Sequence, residues 1–197
     1  MMLMHPIEHN LSLVDLMLDE FGNYILSSEV FWPLSKKRIG DWALPRLTLG
    51  GLMLTFDELA AQTPQMKSKQ TSYHERMTRT FDRLSQKWQV AIEKKASQEL
   101  KARINIWRAY LQDLDEQPRS IQDYPQEVRT RLMISHLLEL LKSTPDSEDW
   151  IQTINHLDQR IDDFTVPGEF LWDNPLQQVY PKEKFPFLYR KPRSHLT

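Results

Sequence analysis

Residues 67–116 read KSKQTSYHERMTRTFDRLSQKWQVAIEKKASQELKARINIWRAYLQDLDE, a stretch of fifty residues without a proline or a glycine. These are the two residues that most strongly interrupt helices, so the segment predicts one long helix. At 1.5 Å per residue, a continuous helix of this length would extend about 75 Å. The alternative is a helical hairpin, or a helix broken near Ala96 and Ser97. In either form the segment is expected to be the longest element of the fold.

Apolar side chains recur along this segment with a mean spacing of about 3.7 residues. This spacing exceeds both 3.5 and 3.6, so the apolar face drifts round the helix instead of holding a left-handed coiled-coil seam. The two ends of the helix are therefore expected to contact different neighbours. The apolar positions are Tyr73, Met77, Phe81, Leu84, Trp88, Ile92, Ala96, Leu100, Ile104, Trp107, Leu111 and Leu114.

Three shorter helices are predicted around the long one. Residues 11–32 carry apolar side chains at helical spacing, with Asn10 as the N-cap and Pro33 as the end. A second helix, 125–142, begins with a proline in its first turn. A third, 146–163, places apolar residues at steps of 4, 3, 4 and 3, which is typical of a packing face. Those residues are Trp150, Ile154, Leu157, Ile161 and Phe164.

Residues 39–56 contain the adjacent pair Gly50 and Gly51. Neither the G-K-[ST] sequence nor the G-x-G-x-x-G spacing of phosphate loops accompanies them, so a turn or a tight packing contact is the interpretation. The nearby leucines fit a small hairpin and fit a short helix equally well. The segment is therefore predicted as a small irregular or hairpin element.

Residues 165–197 differ in composition from the rest of the chain, with five prolines and six aromatic residues. Prolines at this density exclude a long helix or an interior strand, and the rings are too many for an idle linker. We expect an extended strap that docks through its rings, either on the helical domain 1–164 or on a partner. The candidate partner-binding residues are Trp172, Tyr180, Phe185, Phe187, Tyr189 and Arg190.

The net charge of −2 hides a strong segmentation, since residues 63–112 carry +7 and residues 113–178 carry −9. On a continuous helix, seven cations would fall within an arc of about 80° along some 48 Å. We call them the basic stripe: Arg76, Arg79, Arg83, Lys87, Lys94, Lys101 and Arg108. An acidic protein surface or a nucleic-acid backbone suits such a stripe. Solvation, or neutralisation by the acidic region 113–178, is the structural alternative.

The stretch HPIEH at residues 5–9 matches the H-x-x-E-H spacing of inverted zinc proteases. His5 and His9 share a helix face only if the helix includes both, and catalytic zinc needs a third protein ligand. The sequence singles out no such ligand, so His5, Glu8 and His9 stay weak metal candidates. A solvated approach to the first helix is the preferred interpretation, and no cofactor is predicted.

Composition restricts the remaining classes of protein. With 40% hydrophobic residues, 26% charged residues and six tryptophans, the chain is expected to fold as a globular protein. The absence of cysteine excludes disulfides and thiol chemistry and suits a reducing compartment. No signal peptide or membrane-spanning run is recognised, so a soluble cytoplasmic protein is expected.

The sequence thus predicts an all-α helical bundle built around one long helix or helical hairpin. It has a small hairpin element and a proline-rich, aromatic C-terminal strap. The expected function is that of a non-enzymatic adaptor or regulatory protein that contacts another protein, or a second copy of itself, through the long helix and the strap. Nucleic-acid binding by the basic stripe is the first alternative. Metal-dependent hydrolysis at His5, Glu8 and His9 is the second.

Overall fold

The computed structural model describes residues 5–193. In this range it contains seven α-helices and two small antiparallel sheets, which confirms the all-α prediction with a small hairpin element. The helices are α1 Ile7–Leu26, α2 Leu49–Gln62, α3 Ser68–Lys87, α4 Gln89–Glu116, α5 Tyr124–Leu141, α6 Ser147–Ile161 and α7 Asn174–Gln177. Strand β1 Arg38–Ile39 pairs with β2 Trp42–Ala43, and β3 Thr165–Pro167 pairs with β4 Arg190–Pro192. Within the described range, no helix is both long enough and apolar enough to cross a membrane.

The described residues divide into two compact units, 5–99 and 100–193. Helix α4 contributes its first eleven residues to the amino-terminal unit and the remainder to the carboxyl-terminal unit. The predicted boundary between a domain 1–164 and an arm 165–197 does not coincide with this division. It stays a prediction about domain organisation.

In the amino-terminal unit, α1 packs against both α2 and α3. The ring of Phe81 on α3 lies 5.7 Å from that of Phe21 on α1 and 5.5 Å from that of Phe56 on α2. Edge-to-face and offset contacts at such distances are favourable beyond the area that they bury. These three rings therefore join the three helices at one aromatic centre.

Helix α1 starts and ends earlier than its predicted range of 11–32. It begins at Ile7 because Pro6, with φ −55°, precedes the first turn, where a missing N–H costs nothing. It ends at Leu26, where the Ser27 hydroxyl donates to the Tyr24 carbonyl and the chain becomes extended. Asn10 is therefore a buried residue inside the helix, and the prediction of Asn10 as its N-cap was wrong.

The predicted long helix is interrupted once, at Trp88, and not near Ala96 and Ser97. Trp88 has φ −114° and ψ 23°, outside the helical region, and separates α3 from α4. Ala96 is fully buried inside α4, where its small side chain allows close packing. Neither glycine nor proline marks position 88, and no sequence signal for the break exists at that residue.

Residues 38–62 contain both elements that the sequence left open. The hairpin β1–β2 turns at Gly40, whose φ of +56° is the left-handed conformation that glycine adopts without strain. Leu49, Leu52 and Leu54 belong to α2, which begins after Thr48, whereas Leu47 precedes the helix and pairs with Trp32 in an isolated β-bridge. The Thr48 hydroxyl accepts a hydrogen bond from the Gly51 N–H at 3.0 Å, as an N-cap does.

In the carboxyl-terminal unit, the second part of α4 is buried along Leu100, Ile104, Trp107 and Leu111. Helices α5 and α6 pack against each other, close to their predicted bounds of 125–142 and 146–163. Arg131 on α5 joins the two helices, since its guanidinium donates to both carboxylate oxygens of Asp158 at 2.7–3.0 Å. A forked pair of this kind fixes orientation better than a single hydrogen bond does.

Candidate functional site

The basic stripe is divided by the break at Trp88. Arg76, Arg79, Arg83 and Lys87 lie on α3, and all four are exposed. Their spacing of 3, 4 and 4 residues keeps them on one helical face. We call these four residues the α3 basic face. The remaining stripe residues lie on α4, where Lys94 and Lys101 are exposed and Arg108 is half-buried.

Helix α3 is unusual because Met77 is its only fully buried residue among twenty. Met77 and the half-buried ring of Phe81 are among the side chains that pack α3 against its unit. It carries five basic and two acidic side chains, which gives a net charge of +3. The long polar face is therefore available to solvent and is electropositive.

The cations of the stripe contact neighbours that leave their charge accessible. The Arg76 guanidinium lies 4.6 Å from the centre of the Tyr73 ring, and the Lys87 ammonium lies 4.7 Å from that of Trp88. Arg79 pairs with Glu75 at 3.8 Å, but both side chains are largely exposed. Exposed pairs of this kind contribute only about 0–1 kcal/mol. In the carboxyl-terminal unit, Lys101 lies 5.8 Å from the Trp150 ring, and Arg108 donates to Asn105.

The aromatic residues of the strap are placed differently from the basic stripe. Five of the six predicted partner-binding residues are buried in the carboxyl-terminal unit, namely Trp172, Tyr180, Phe185, Phe187 and Tyr189. The sixth, Arg190, donates to the Thr165 hydroxyl at 2.6 Å and pairs with Asp162 at 2.5 Å. All six therefore make contacts inside the chain, and their exposure gives no support to a role as partner anchors.

Hydrogen bonds dock the strap on α5. The Tyr124 hydroxyl donates to the Phe187 carbonyl at 2.7 Å, and the Trp172 indole N–H donates to the Pro125 carbonyl at 2.8 Å. The Arg131 guanidinium lies 4.4 Å from the centre of the Phe187 ring. Burial raises the pKa of Tyr124, which keeps its hydroxyl protonated and able to donate.

The HPIEH segment forms a packed cluster at the start of α1. The rings of His5 and His9 stack with centroids 4.8 Å apart, and the Trp42 ring meets His5 edge-on at 4.9 Å. His5 precedes α1, so the two histidines do not project from one helix as the zinc-protease spacing requires. Glu8 accepts a hydrogen bond from Gln70 on α3 at 2.5 Å. Among residues 5–193, no three histidine or acidic side chains are grouped so that they could hold a metal ion.

Polar side chains from α2 complete this cluster. Glu58 lies 3.7 Å from the Nδ1 atom of His5 and accepts a hydrogen bond from Asn10 at 3.0 Å. The Gln62 amide donates to the His5 carbonyl at 2.7 Å. Burial and the neighbouring His5 lower the pKa of His9, which is only 5% exposed, while Glu58 opposes the shift. The folded state therefore disfavours the protonated form of His9.

Acidification from pH 7.5 to pH 5 is expected to lower the free energy of unfolding through His9. The unfolded chain protonates this residue near its ordinary pKa of about 6.5, so the unfolded chain binds more protons than the folded chain in this range. The free energy of unfolding therefore decreases as the pH is lowered. Burial also lowers the pKa of His74, which adds to the effect. Urea unfolding at both pH values should show a smaller loss for His9→Gln than for the wild type. An exposed-site control, His156→Gln, should behave as the wild type does; equal pH dependence in all three proteins would contradict the prediction.

Sequence reasoning missed two charged residues that organise the amino-terminal unit. Lys95, 2% exposed, donates to the carbonyls of Ser27 at 2.7 Å and Glu29 at 2.8 Å, just beyond the carboxyl end of α1. Glu99, 0% exposed, accepts from the N–H groups of Leu49 at 2.8 Å and Gly50 at 3.2 Å, at the start of α2. Each charge therefore opposes the charge of the helix end that it meets.

The sequence feature that could have identified Lys95 and Glu99 as buried charges is their position beside the apolar residues of α4. Lys95 and Glu99 are one turn apart and adjacent to Ala96 and Leu100, which are both fully buried. Charged residues next to such positions are expected to find partners when the helix packs. The carboxylate of Glu99 therefore lies at a helix start, where anions are favoured, and a Cβ atom on Gly51 would lie 2.9 Å from the Thr48 hydroxyl oxygen.

In comparisons with protein-family models, curated proteins and solved structures, nothing matches this chain.

Proposed function

We propose that the protein is a non-enzymatic adaptor or regulatory protein that binds an acidic surface of a partner protein through the α3 basic face. The observation that carries the proposal is the exposure of all four cations on a twenty-residue helix with one fully buried residue. Helix α3 carries only two acidic residues, Glu75 and Asp82, and the exposed pair of Arg79 with Glu75 leaves the helix with a net charge of +3. Charged surfaces of this kind steer association and set orientation more than they set affinity.

The dimensions of α3 favour a transient contact. A helix of twenty residues is about 30 Å long, and a face about 10 Å wide offers on the order of 300 Å². Stable interfaces bury about 800 Å² on each partner. Helix α3 alone therefore supplies under half of a standard interface, which fits a regulatory contact that forms and dissociates quickly.

The buried strap is assigned a structural role in this proposal. Its rings fill the carboxyl-terminal unit, and their hydrogen bonds to α5 would have to break before they could contact a partner. The contact surface is therefore assigned to α3, and the strap stabilises the unit that it belongs to.

Nucleic-acid binding is the second candidate, because four exposed cations on one face also suit a phosphate backbone. The break at Trp88 separates them from Lys94 and Lys101, so the predicted continuous 48 Å track is not formed by one straight helix. Nucleic-acid binding would weaken steeply with salt and would disappear on nuclease treatment.

Charge reversal on α3 tests the proposal. Three proteins are used as bait in extract of the source cells, with and without nuclease. They are the full chain, the double variant Arg83→Glu/Lys87→Glu, and the control double variant Lys182→Glu/Lys184→Glu. All four positions are exposed, so the variants are expected to keep the fold. A stoichiometric protein that survives nuclease, is kept by the control and falls at least about tenfold with the α3 variant is expected. Equal recovery with both variants would contradict the proposal, and recovery that depends on nucleic acid would favour the second candidate.

A further inference from the structure

An open groove of about 740 Å³ lies between the amino-terminal parts of α1 and α3. Its walls come from Glu8 and Leu11 on α1 and from the first three turns of α3. Arg76 and Arg79 of the α3 basic face line it, so the groove continues that face toward α1. A volume within the usual range for ligand sites holds several side chains of a bound molecule.

The charges in the groove are unbalanced. Among the described lining residues, three are cations, Lys69, Arg76 and Arg79, and one is a carboxylate, Glu8. The Glu8 carboxylate already accepts a hydrogen bond from Gln70 at 2.5 Å. The hydroxyl groups of Ser68 and Ser72 add further donors along the same wall. The groove therefore presents donors and positive charge to anything that enters it.

One of these cations is already held in position. The guanidinium of Arg76 stacks on the Tyr73 ring at 4.6 Å, a contact that limits its rotamers before any ligand arrives. A guanidinium fork matches the two oxygens of a carboxylate, and its planar shape loses less freedom on binding than a lysine does. Tyr73 and Leu11 give the groove an apolar floor beside these cations.

We propose that this groove binds an acidic peptide segment, whose carboxylates pair with Lys69, Arg76 and Arg79 while its apolar atoms cover Tyr73. The inference deepens the proposed function and rests on it, because it names the part of the partner that the α3 basic face receives. A single small anion would leave most of the groove unfilled. A peptide with acidic residues at several positions uses the cations together and fits the length of the wall.

Direct binding of a defined acidic peptide tests this site. Fluorescein-labelled decaglutamate is titrated with the full chain at moderate salt, and fluorescence anisotropy is recorded for the wild type, for Arg76→Glu, Arg79→Glu and for Lys182→Glu, Lys184→Glu. Both double variants change the net charge by the same amount. We expect the groove variant to weaken binding at least about tenfold and the control variant to change it less than about twofold. A labelled glycine–serine decapeptide is expected not to bind.

Two further measurements locate the site and separate it from other anions. Decaglutamate should shift the backbone amide resonances of Leu11, Ser72 and Arg76, and inorganic phosphate at equal charge should not compete. Absence of decaglutamate binding, equal weakening by both variants, or shifts located elsewhere would overturn the groove assignment. Tighter binding of a dT10 oligonucleotide than of decaglutamate would also overturn it.

The outcomes of the two experiments are distinguishable. Loss of a captured protein with Arg83→Glu, Lys87→Glu would keep the proposed function even if decaglutamate fails to bind the groove. If decaglutamate binds in the groove but no captured protein depends on the α3 basic face, the groove is retained as a peptide-binding site and the proposed adaptor function is contradicted.

Discussion

Replacing Glu99 with leucine is expected to lower the free energy of unfolding of the amino-terminal unit by about 3–5 kcal/mol. The carboxylate is fully buried and accepts two hydrogen bonds from the first turn of α2, at 2.8 Å from Leu49 and 3.2 Å from Gly50. Hydrogen bonds to a charged group contribute about 1.5–3 kcal/mol each, and buried N–H groups left without an acceptor add a further cost. The leucine side chain replaces the volume of glutamate but accepts no hydrogen bond.

Two companion variants separate the charge from the hydrogen bonds at this position. Glu99→Gln keeps one acceptor oxygen without the charge, so a loss of about half that of leucine is expected. Glu116→Gln changes an exposed glutamate at the end of the same helix and is expected to stay within about 0.5 kcal/mol of the wild type. Urea unfolding followed by far-ultraviolet circular dichroism measures all three. A loss below about 1 kcal/mol for Glu99→Leu would show that the α2 start is not held by this carboxylate.

Replacing Trp172 with alanine is expected to lower the free energy of unfolding of the carboxyl-terminal unit by about 3–5 kcal/mol. The side chain is 3% exposed, its indole N–H donates to the Pro125 carbonyl, and its ring lies 6.0 Å from that of Tyr180. Removing it opens a cavity and leaves the Pro125 carbonyl without this donor. The expected loss of stability is large because the Trp172 side chain supplies both apolar burial and a hydrogen bond that docks the strap on α5.

This variant also decides between two roles of the strap. A ring kept for a partner would contribute little to the stability of the free chain, whereas a core ring contributes several kilocalories per mole. Trp42→Ala is the matched control, since Trp42 is 47% exposed and is expected to cost far less. Thermal and urea unfolding of both variants provide the comparison. If Trp172→Ala keeps wild-type stability but loses a bound partner, the strap is part of the surface that contacts the partner.

The helices could be predicted where apolar spacing and local signals agree. The steps of 4, 3, 4 and 3 in residues 150–164 correspond to α6, whose side chains Ile154, Leu157 and Ile161 are buried. The proline at 125 correctly indicated the first turn of α5. Helix α1 was predicted to start too late because Asn10 has the chemistry of an N-cap, yet Pro6 already provides a start. Tertiary hydrogen bonds to Glu58 and Gln62 use the Asn10 side chain instead.

The contacts of the buried charges in the amino-terminal unit could not be predicted from local sequence patterns. Lys95 meets carbonyls 66 and 68 residues away, and Glu99 meets N–H groups 49 and 50 residues away. Periodicity places both residues beside an apolar face but does not identify the helix ends that they meet. For the candidate site, sequence identified all four residues of the α3 basic face. It could not show the break at Trp88 or the groove against α1, because both depend on how the helices pack.

Photo-crosslinking from α3 itself tests whether this helix contacts a partner protein. A benzoylphenylalanine at Gln86, an exposed position between Arg83 and Lys87, leaves every cation in place. The same residue at exposed Gln178 is the matched control. On irradiation in cells, a contact between α3 and a partner protein predicts a discrete protein adduct from position 86, absent from position 178 and abolished by Arg83→Glu, Lys87→Glu. No protein adduct from position 86, or one that persists unchanged in the charge-reversed background, would contradict it.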